Sequence, residues 1–140
     1  MADPAVAYHA AQDAALRGST EFAALFPGGV ARIYTVVPQN APLPFARIGD
    51  DQILEDSDEC IDASEIVSQV HIWTNPDPPD VQLGRRMAGL VRELLVGLTI
   101  PGFDVVLAQF TDTRHLTDPD GSSHAVLGFR YFVTDRPEVP

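Results

Sequence analysis

The sequence predicts an α+β fold: a largely antiparallel sheet of about four or five strands, packed against an N-terminal helix and one longer helix. Three observations predict it. Two helical patterns open the chain, and a third separates the β-prone segments from each other. Apolar residues recur at helical spacing over residues 78–98, and they alternate as in a strand over residues 66–74. A length of 140 residues fits one domain spanning 1–140.

The first two helices are predicted from their start and stop signals. Asp3-Pro4 is a favourable helix start, because Asp caps free N–H groups and proline loses no hydrogen bond in the first turn. An Ala-rich helix therefore follows over residues 5–17. Ser19 or Thr20 begins a second, short helix, which stops at residues 27–29, Pro-Gly-Gly.

The middle of the chain predicts three strands. Residues 30–37 are β-prone, whereas residues 38–44 contain three prolines, which remove ladder donors, and are expected to form an extended loop. A strand follows at residues 45–49. Ile66–Thr74 alternates with both faces partly apolar, which suits a central strand covered by helices on one side and by a partner on the other.

The longer helix is predicted at about residues 78–98. An acidic residue precedes the apolar pattern at Asp77 and again at Asp80, as at a capped helix start. Pro101-Gly102 ends the element. One apolar stripe runs along it, made of Leu83, Met87, Leu90, Val91, Leu94 and Leu98.

Two strands, at about residues 104–115 and 124–135, close the chain. They are joined by residues 118–121, Asp-Pro-Asp-Gly, which suit a type I turn. Direct pairing about the turn places His115 opposite His124, whereas a bulge at Gly121 shifts the pairing and separates them. The sequence leaves both registers open.

The charge balance excludes several classes of protein. Asp and Glu total 20 against nine Arg and no Lys, so the net charge is −11. This argues against a nucleic-acid-binding surface and against adhesion to an anionic membrane, both of which need basic residues. Cys60 is the only cysteine, so an intrachain disulfide and a multi-cysteine metal site are excluded. With no signal-peptide pattern at residues 1–4 and no long apolar run, we expect synthesis in the cytoplasm.

The acids are concentrated in one segment. Residues 50–65 hold eight acids and no base, and no register of the segment fits a calcium-binding EF-hand loop. It is interpreted either as a solvated, self-repelling loop or as a surface that repels polyanions or meets a basic partner. The acids are Asp50, Asp51, Glu55, Asp56, Asp58, Glu59, Asp62 and Glu65.

The sequence contains none of the common motifs of enzymes. Phosphate-binding glycine loops, the nucleophile elbow and the zinc-protease motif are all missing, and the lack of Lys excludes Schiff-base chemistry. We therefore predict no enzyme, no cofactor and no metal site. His71 and Trp73 share one strand face, where they either pack on the sheet or act as a ligand site. One alternative is a small metal-dependent hydrolase that uses His71 with Asp50, Asp51, Asp56 or Asp58; another is an acidic DNA mimic.

Taken in order, several segments make the chain resemble the tail terminator (tail-completion) proteins of long-tailed phages and gene transfer agents. Each segment is a common turn or strand pattern, and the resemblance lies in their order over nearly the whole chain. The segments are the Ala-rich helix after Asp3-Pro4, and residues 28–34 (GGVARIY), 37–45 (VPQNAPLPF), 48–50 (IGD), 70–73 (VHIW), 118–121 (DPDG) and 128–131 (GFRY).

The resemblance implies a structural virion protein at the head–tail junction, without catalytic residues or a cofactor. It implies a homo-oligomeric ring, expected to be a hexamer, that caps the tail tube, ends its polymerisation and joins tail to head. The implied partners are further copies of the chain, the tail tube protein and the head-completion or stopper protein of the neck. DNA would pass through the ring without specific binding, and no membrane is involved. Another neck or tail component, such as a stopper or a tube subunit, is the alternative.

Two surfaces are candidate sites in such a ring. The acids of residues 50–65 are expected to line the lumen or to face the tube, because carboxylates repel the phosphates of passing DNA. Subunit contacts are expected at Leu43 and Phe45 of the Pro-rich loop, and at Val67 and Trp73 of the sheet, since aromatic side chains are good interface anchors.

Overall fold

The computed structural model describes residues 3–75 and 81–136, and these form three helices, a 3₁₀ turn and one five-stranded sheet. The sequence-predicted α+β class is confirmed. The helices are α1 (Ala5–Arg17), α2 (Thr20–Ala23) and α3 (Val81–Val96), with the 3₁₀ turn at Pro27–Gly29. The strands are β1 (Ile33–Tyr34), β2 (Phe45–Glu55), β3 (Ala63–Thr74), β4 (Phe103–Thr117) and β5 (Ser123–Asp135).

The sheet is mostly antiparallel, as predicted. Its strand order is β1-β2-β3-β5-β4, in which only the short β1–β2 pairing is parallel. The central strand β3 pairs along its whole length with β5, from Ala63 opposite Thr134 to Thr74 opposite Ser123. None of the described helices is long and apolar enough to cross a membrane.

The hydrophobic core lies between the helices and one face of the sheet. The stripe predicted for the long helix supplies much of it, with Met87 and Val91 fully buried. Tyr131 of β5 is also fully buried, and its hydroxyl donates a hydrogen bond of 2.8 Å to the Leu95 carbonyl of α3. This side of the sheet is called the helix-covered face below.

The strand bounds differ most from the predictions in β1 and β2, while β3 begins three residues earlier than predicted and β4 ends two residues later. Only Ile33–Tyr34 of the predicted strand at 30–37 pairs in the sheet, and Val30 and Val36 are exposed, so β-propensity alone did not make a longer strand. The strand predicted at 45–49 continues as β2 to Glu55 because β3 pairs with it across a bulge between Arg47 and Asp50. The predicted helix start at Asp77 to Asp80 lies outside the described residues.

The turn between β4 and β5 decides the register that the sequence left open. Gly121 has a φ of +88°, a backbone conformation that suits glycine, and Leu116 pairs with His124. His115 pairs instead with Ala125. The one-residue shift places His115 and His124 on opposite faces of the sheet.

Candidate functional site

The second face of the sheet, called the open face below, carries none of the described helices. Along β3 the side chains of Ile66, Val70 and Ile72 are buried against the helices, whereas the alternate residues turn to the open face and stay partly or fully exposed. The alternate residues are Glu65, Val67, Gln69, His71 and Trp73. The open face therefore presents partly exposed side chains of β3 at the surface of the described residues.

A row of ionisable side chains crosses one end of the open face. His71 Nδ1 lies 2.9 Å from His124 Nε2, and His124 Nδ1 lies 3.1 Å from Asp118 Oδ1. At the other end of the row, His71 Nε2 is 2.9 Å from Asp50 Oδ2, and both Asp50 oxygens accept hydrogen bonds from the Arg47 guanidinium. The row joins β2, β3, β5 and the β4–β5 turn.

The protons available to the row can be counted. Two neutral imidazoles supply one N–H each, which is enough for the His71–His124 and His124–Asp118 hydrogen bonds. His71 Nε2 is buried without an aligned hydrogen bond despite its closeness to Asp50, so a third proton there would complete the row. Burial, followed by the neighbouring His124, opposes that proton and lowers the pKa of His71.

Aromatic rings extend the row into a stack. The Trp73 and His124 rings are stacked with centroids 4.3 Å apart and planes 19° apart, and Phe45 lies 5.1 Å from Trp73 on the other strand. The Trp73 indole N–H donates a hydrogen bond of 2.8 Å to Asp118. Trp73 therefore lies on the open face and not beneath the long helix.

A groove of about 300 Å³ opens beside this stack. Its walls are the Pro-rich loop, which contributes Leu43, and the β4–β5 turn, while Phe45 and Trp73 contribute to its lining. Three of the four predicted interface residues thus meet at one site. The fourth, Val67, lies on the same open face but farther along β3, opposite Gln52 of β2 and Arg130 of β5.

Comparison with known proteins decides the family. The family model "Tail completion protein gp17" matches residues 13–134. The chain belongs to the tail-completion protein gp17 family. No curated protein sequence matches it.

Two solved structures share the fold of this tail-completion protein. A chain in the virion of a native gene transfer agent particle aligns with a TM-score of 0.75 and 23% identity, covering 89% of this chain and 92% of that one. The gp17 protein of bacteriophage SPP1 aligns with a TM-score of 0.59 and 18% identity, covering 97% and 94%. The family assignment makes the protein a structural tail component of a virion.

The tail-completion domain spreads the predicted acidic segment over three environments. Asp50 pairs with Arg47 and His71, and Glu65 pairs with Arg130 at 2.7 Å, both on the open face. Asp51 accepts a hydrogen bond of 2.8 Å from Ser68, whose side chain lies on the helix-covered face, and burial raises the pKa of Asp51. The remaining acids lie at or beside the turn between β2 and β3: Glu55, Asp56, Asp58, Glu59 and Asp62.

Residues 56–62, called the acidic loop below, form an ordered turn. The Asp58 carboxylate accepts hydrogen bonds from the backbone N–H groups of Cys60 and Ile61, which lowers its pKa. Asp56 and Glu59 are exposed, and so is Cys60. The acidic loop therefore presents the exposed carboxylates of Asp56 and Glu59 at the edge of the domain.

The residues of the hydrolase alternative do not converge. Of its four candidate carboxylates, only Asp50 approaches His71, since Asp51 faces the other side of the sheet and Asp56 and Asp58 lie in the acidic loop. Within residues 3–75 and 81–136, no group of three or more His, Cys, Asp or Glu side chains is arranged to hold a metal ion.

Sequence reasoning missed the part that Asp118 and His124 play beside His71 and Trp73. The sequence predicts Asp118 only as a turn residue and relates His124 only to His115. His124 reaches the open face because its strand neighbour Ala125 is buried on the helix-covered face, and it lies beside Trp73 because the two residues pair between β3 and β5.

Proposed function

We propose that this protein forms a ring, with six copies as the expected number, that caps the tail tube, ends its polymerisation and joins the tail to the head. The observation that carries the proposal is the family match over residues 13–134. A chain of the same fold in the virion of a gene transfer agent supports it, since each chain is covered nearly in full. The tail tube protein, the stopper protein of the neck and further copies of this chain are the proposed partners.

The open face is the proposed contact surface between subunits. Phe45 and Trp73 form an aromatic cluster beside the Pro-rich loop that contains Leu43, and aromatic side chains next to polar rims are common interface anchors. Val67 extends the apolar surface along β3. Because the row of His71, His124 and Asp118 holds Trp73 in place, little side-chain entropy is lost when a partner docks.

The exposed acids are proposed to face the lumen or the tube. Six copies at a net charge of −11 each carry −66, and DNA that crosses the ring must slide without sticking. The candidates in the acidic loop and beside it are exposed, whereas Asp50 and Glu65 are neutralised by arginines. A ring in which the acidic loop lies on the outer rim, away from both lumen and tube, would contradict this placement.

The proposed role is structural, with no catalytic step and no cofactor. The family is defined by tail completion, which supports assembly and not turnover as the task of this chain.

The test is deletion of the gene from the genome that encodes the particle, followed by electron microscopy of the particles that are produced. If the protein is a terminator, its loss should give tails that are abnormally long or that fail to join heads. A plasmid copy of the gene should restore normal tail length and head joining. Tails of normal length joined to heads would contradict the proposal. Normal tails that stay separate from filled heads would indicate a stopper, and the loss of tubes altogether would indicate a tube subunit.

A further inference from the structure

A second, smaller cavity opens where α3 begins, at the end of the sheet that carries Thr74 and Ser123. Its volume is about 180 Å³, and it is called the donor pocket below. Apart from apolar wall atoms and His124, its lining consists of groups that donate hydrogen bonds: the Arg85 guanidinium, the His115 imidazole and the hydroxyls of Thr74, Thr117 and Ser123.

One of these donors is buried and unpaired among the described residues. Thr74 is fully buried, and its Oγ1 atom makes no hydrogen bond within residues 3–75 and 81–136. Such an orphaned hydroxyl is destabilising unless a ligand or water satisfies it. Gly84 of α3 keeps the approach open, because a Cβ atom there would lie 3.5 Å from the hydroxyl oxygen.

The charge of the donor pocket is positive. Arg85 is exposed and has no acidic partner among residues 3–75 and 81–136. Partial burial, and then the guanidinium of Arg85, lowers the pKa of His115, whose imidazole has one N–H donor in its neutral form. A guanidinium surrounded by hydroxyls and an imidazole N–H suits a carboxylate.

The acidic loop supplies carboxylates, but the loop and the donor pocket lie at opposite ends of strand β3. Ala63 directly follows the acidic loop and Thr74 lines the donor pocket, and they are the two ends of β3. At a rise of about 3.3 Å per residue these ends are about 36 Å apart. One subunit therefore cannot insert its own acidic loop into its own donor pocket.

The geometry points to a head-to-tail contact in which a carboxylate of the acidic loop, Asp56 or Glu59, enters the donor pocket of the next copy of this chain. A contact between two different ends of a subunit is heterologous, and repetition of a heterologous contact closes a ring when the rotation allows it. The inference rests on the proposed ring and adds a second contact between its subunits to the one proposed on the open face. The other carboxylates of the acidic loop keep facing the lumen or the tube.

The chain offers a direct test through its single cysteine. Cys60 is exposed in the acidic loop, and Thr117 is exposed at the rim of the donor pocket. Disulfide formation requires Cα atoms within about 7 Å, so cysteines at these two positions can be linked only between subunits. The variant Thr117→Cys is oxidised in assembled, full-length protein and analysed on a non-reducing gel.

A head-to-tail contact predicts a ladder of covalent dimers, trimers and larger species, because each subunit then carries two linkable ends. The matched controls are Gln109→Cys, an exposed position in the middle of β4, and Cys60→Ser combined with Thr117→Cys. Neither control should give more than dimers. Cross-linking of Thr117→Cys that does not exceed that of Gln109→Cys would overturn the inference.

A charge exchange provides an independent measurement. Arg85→Glu should weaken self-association on the order of tenfold or more, whereas Arg86→Glu, the same change one residue outside the pocket lining, should not. Adding Asp56→Arg and Glu59→Arg to Arg85→Glu should restore assembly. Wild-type rings that Arg85→Glu leaves unaltered would overturn the inference but not the proposed function. No self-association of the wild type, alone or on tubes, would overturn both.

Discussion

The two faces of the sheet use the same strands for opposite purposes. On the helix-covered face, Ile66, Val70 and Ile72 of β3 are buried among apolar side chains of α3 and β5. On the open face, the intervening His71 and Trp73 are held by hydrogen bonds and ring stacking and stay partly accessible. One face stabilises the domain by burial, and the other keeps specific side chains in fixed positions at the surface.

The difference between the faces shows how a small domain can combine a stable fold with a surface that binds a partner. Burial on the helix-covered face is non-directional and supplies most of the folding free energy. Fixed positions on the open face contribute less to folding, but they prepare a surface for a partner at low entropic cost. Substitutions on the two faces are therefore expected to separate stability from assembly.

The largest effect is expected in the core. Leu95→Ala removes a fully buried side chain of α3 and should lower the free energy of unfolding by about 2–5 kcal/mol. The control Gln69→Ala, on the exposed part of the open face, should change it by less than about 0.5 kcal/mol. If urea unfolding shows that both substitutions lower the free energy of unfolding equally, the division of roles between the two faces is contradicted.

A smaller loss of stability, with a larger loss of assembly, is expected at Trp73. Trp73→Ala removes a partly buried ring and the N–H bond to Asp118, and should cost about 2 kcal/mol while leaving a folded monomer that forms no ring. Trp73→Phe keeps a ring for stacking and should cost about 1 kcal/mol with assembly retained. Circular dichroism and sedimentation velocity measure the two effects, and a Trp73→Ala chain that fails to fold would show that Trp73 serves the core.

A gain of stability is expected at one polar residue on the covered side. Gln12 of α1 is fully buried, and neither its amide nitrogen nor its amide oxygen has a hydrogen-bond partner among the residues that the structure describes. Gln12→Leu should raise the free energy of unfolding by about 1 kcal/mol, because the desolvated amide is removed. Gln82→Leu, an exposed position on α3, is the control and should have little effect. A destabilised Gln12→Leu protein would show that the amide is satisfied by bound water.

The smallest expected effect is a dependence of the free energy of unfolding on pH. The pKa of His71 is lowered in the folded state, so the unfolded chain binds more protons and stability should fall as the pH decreases below about 6.5. His71→Gln should make the decline shallower between pH 7.5 and 5.5, as measured by urea unfolding followed through Trp73 fluorescence. Burial raises the pKa of Asp51, which acts in the opposite direction but is common to both proteins. An unchanged slope would contradict the assignment to His71.

Residue pattern alone predicted the helix-covered face well. The stripe containing Met87 and Val91 and the alternation of Ile66 to Thr74 are local signals of burial, and both residue patterns predicted the right type of element. The bounds differ, since the strand begins earlier, at Ala63, and the helix ends at Val96, before Leu98 of the predicted stripe. The arrangement of side chains on the open face depends on the pairing register of strands that are distant in the sequence, which local residue patterns do not specify. The pairing of Trp73 with His124 between β3 and β5 brings His124 beside Trp73 and His71, and no local pattern in either strand specifies that register. The donor pocket was missed for the same reason, since Thr74, Arg85 and His115 come from three elements.

This tail-completion protein is proposed to assemble into a closed ring. Native mass spectrometry of the purified protein, with and without its tail tube, measures this directly. Six subunits of 15.2 kDa predict a species of about 91 kDa, at least in the presence of the tube. A protein that remains at 15.2 kDa in both conditions would contradict the account.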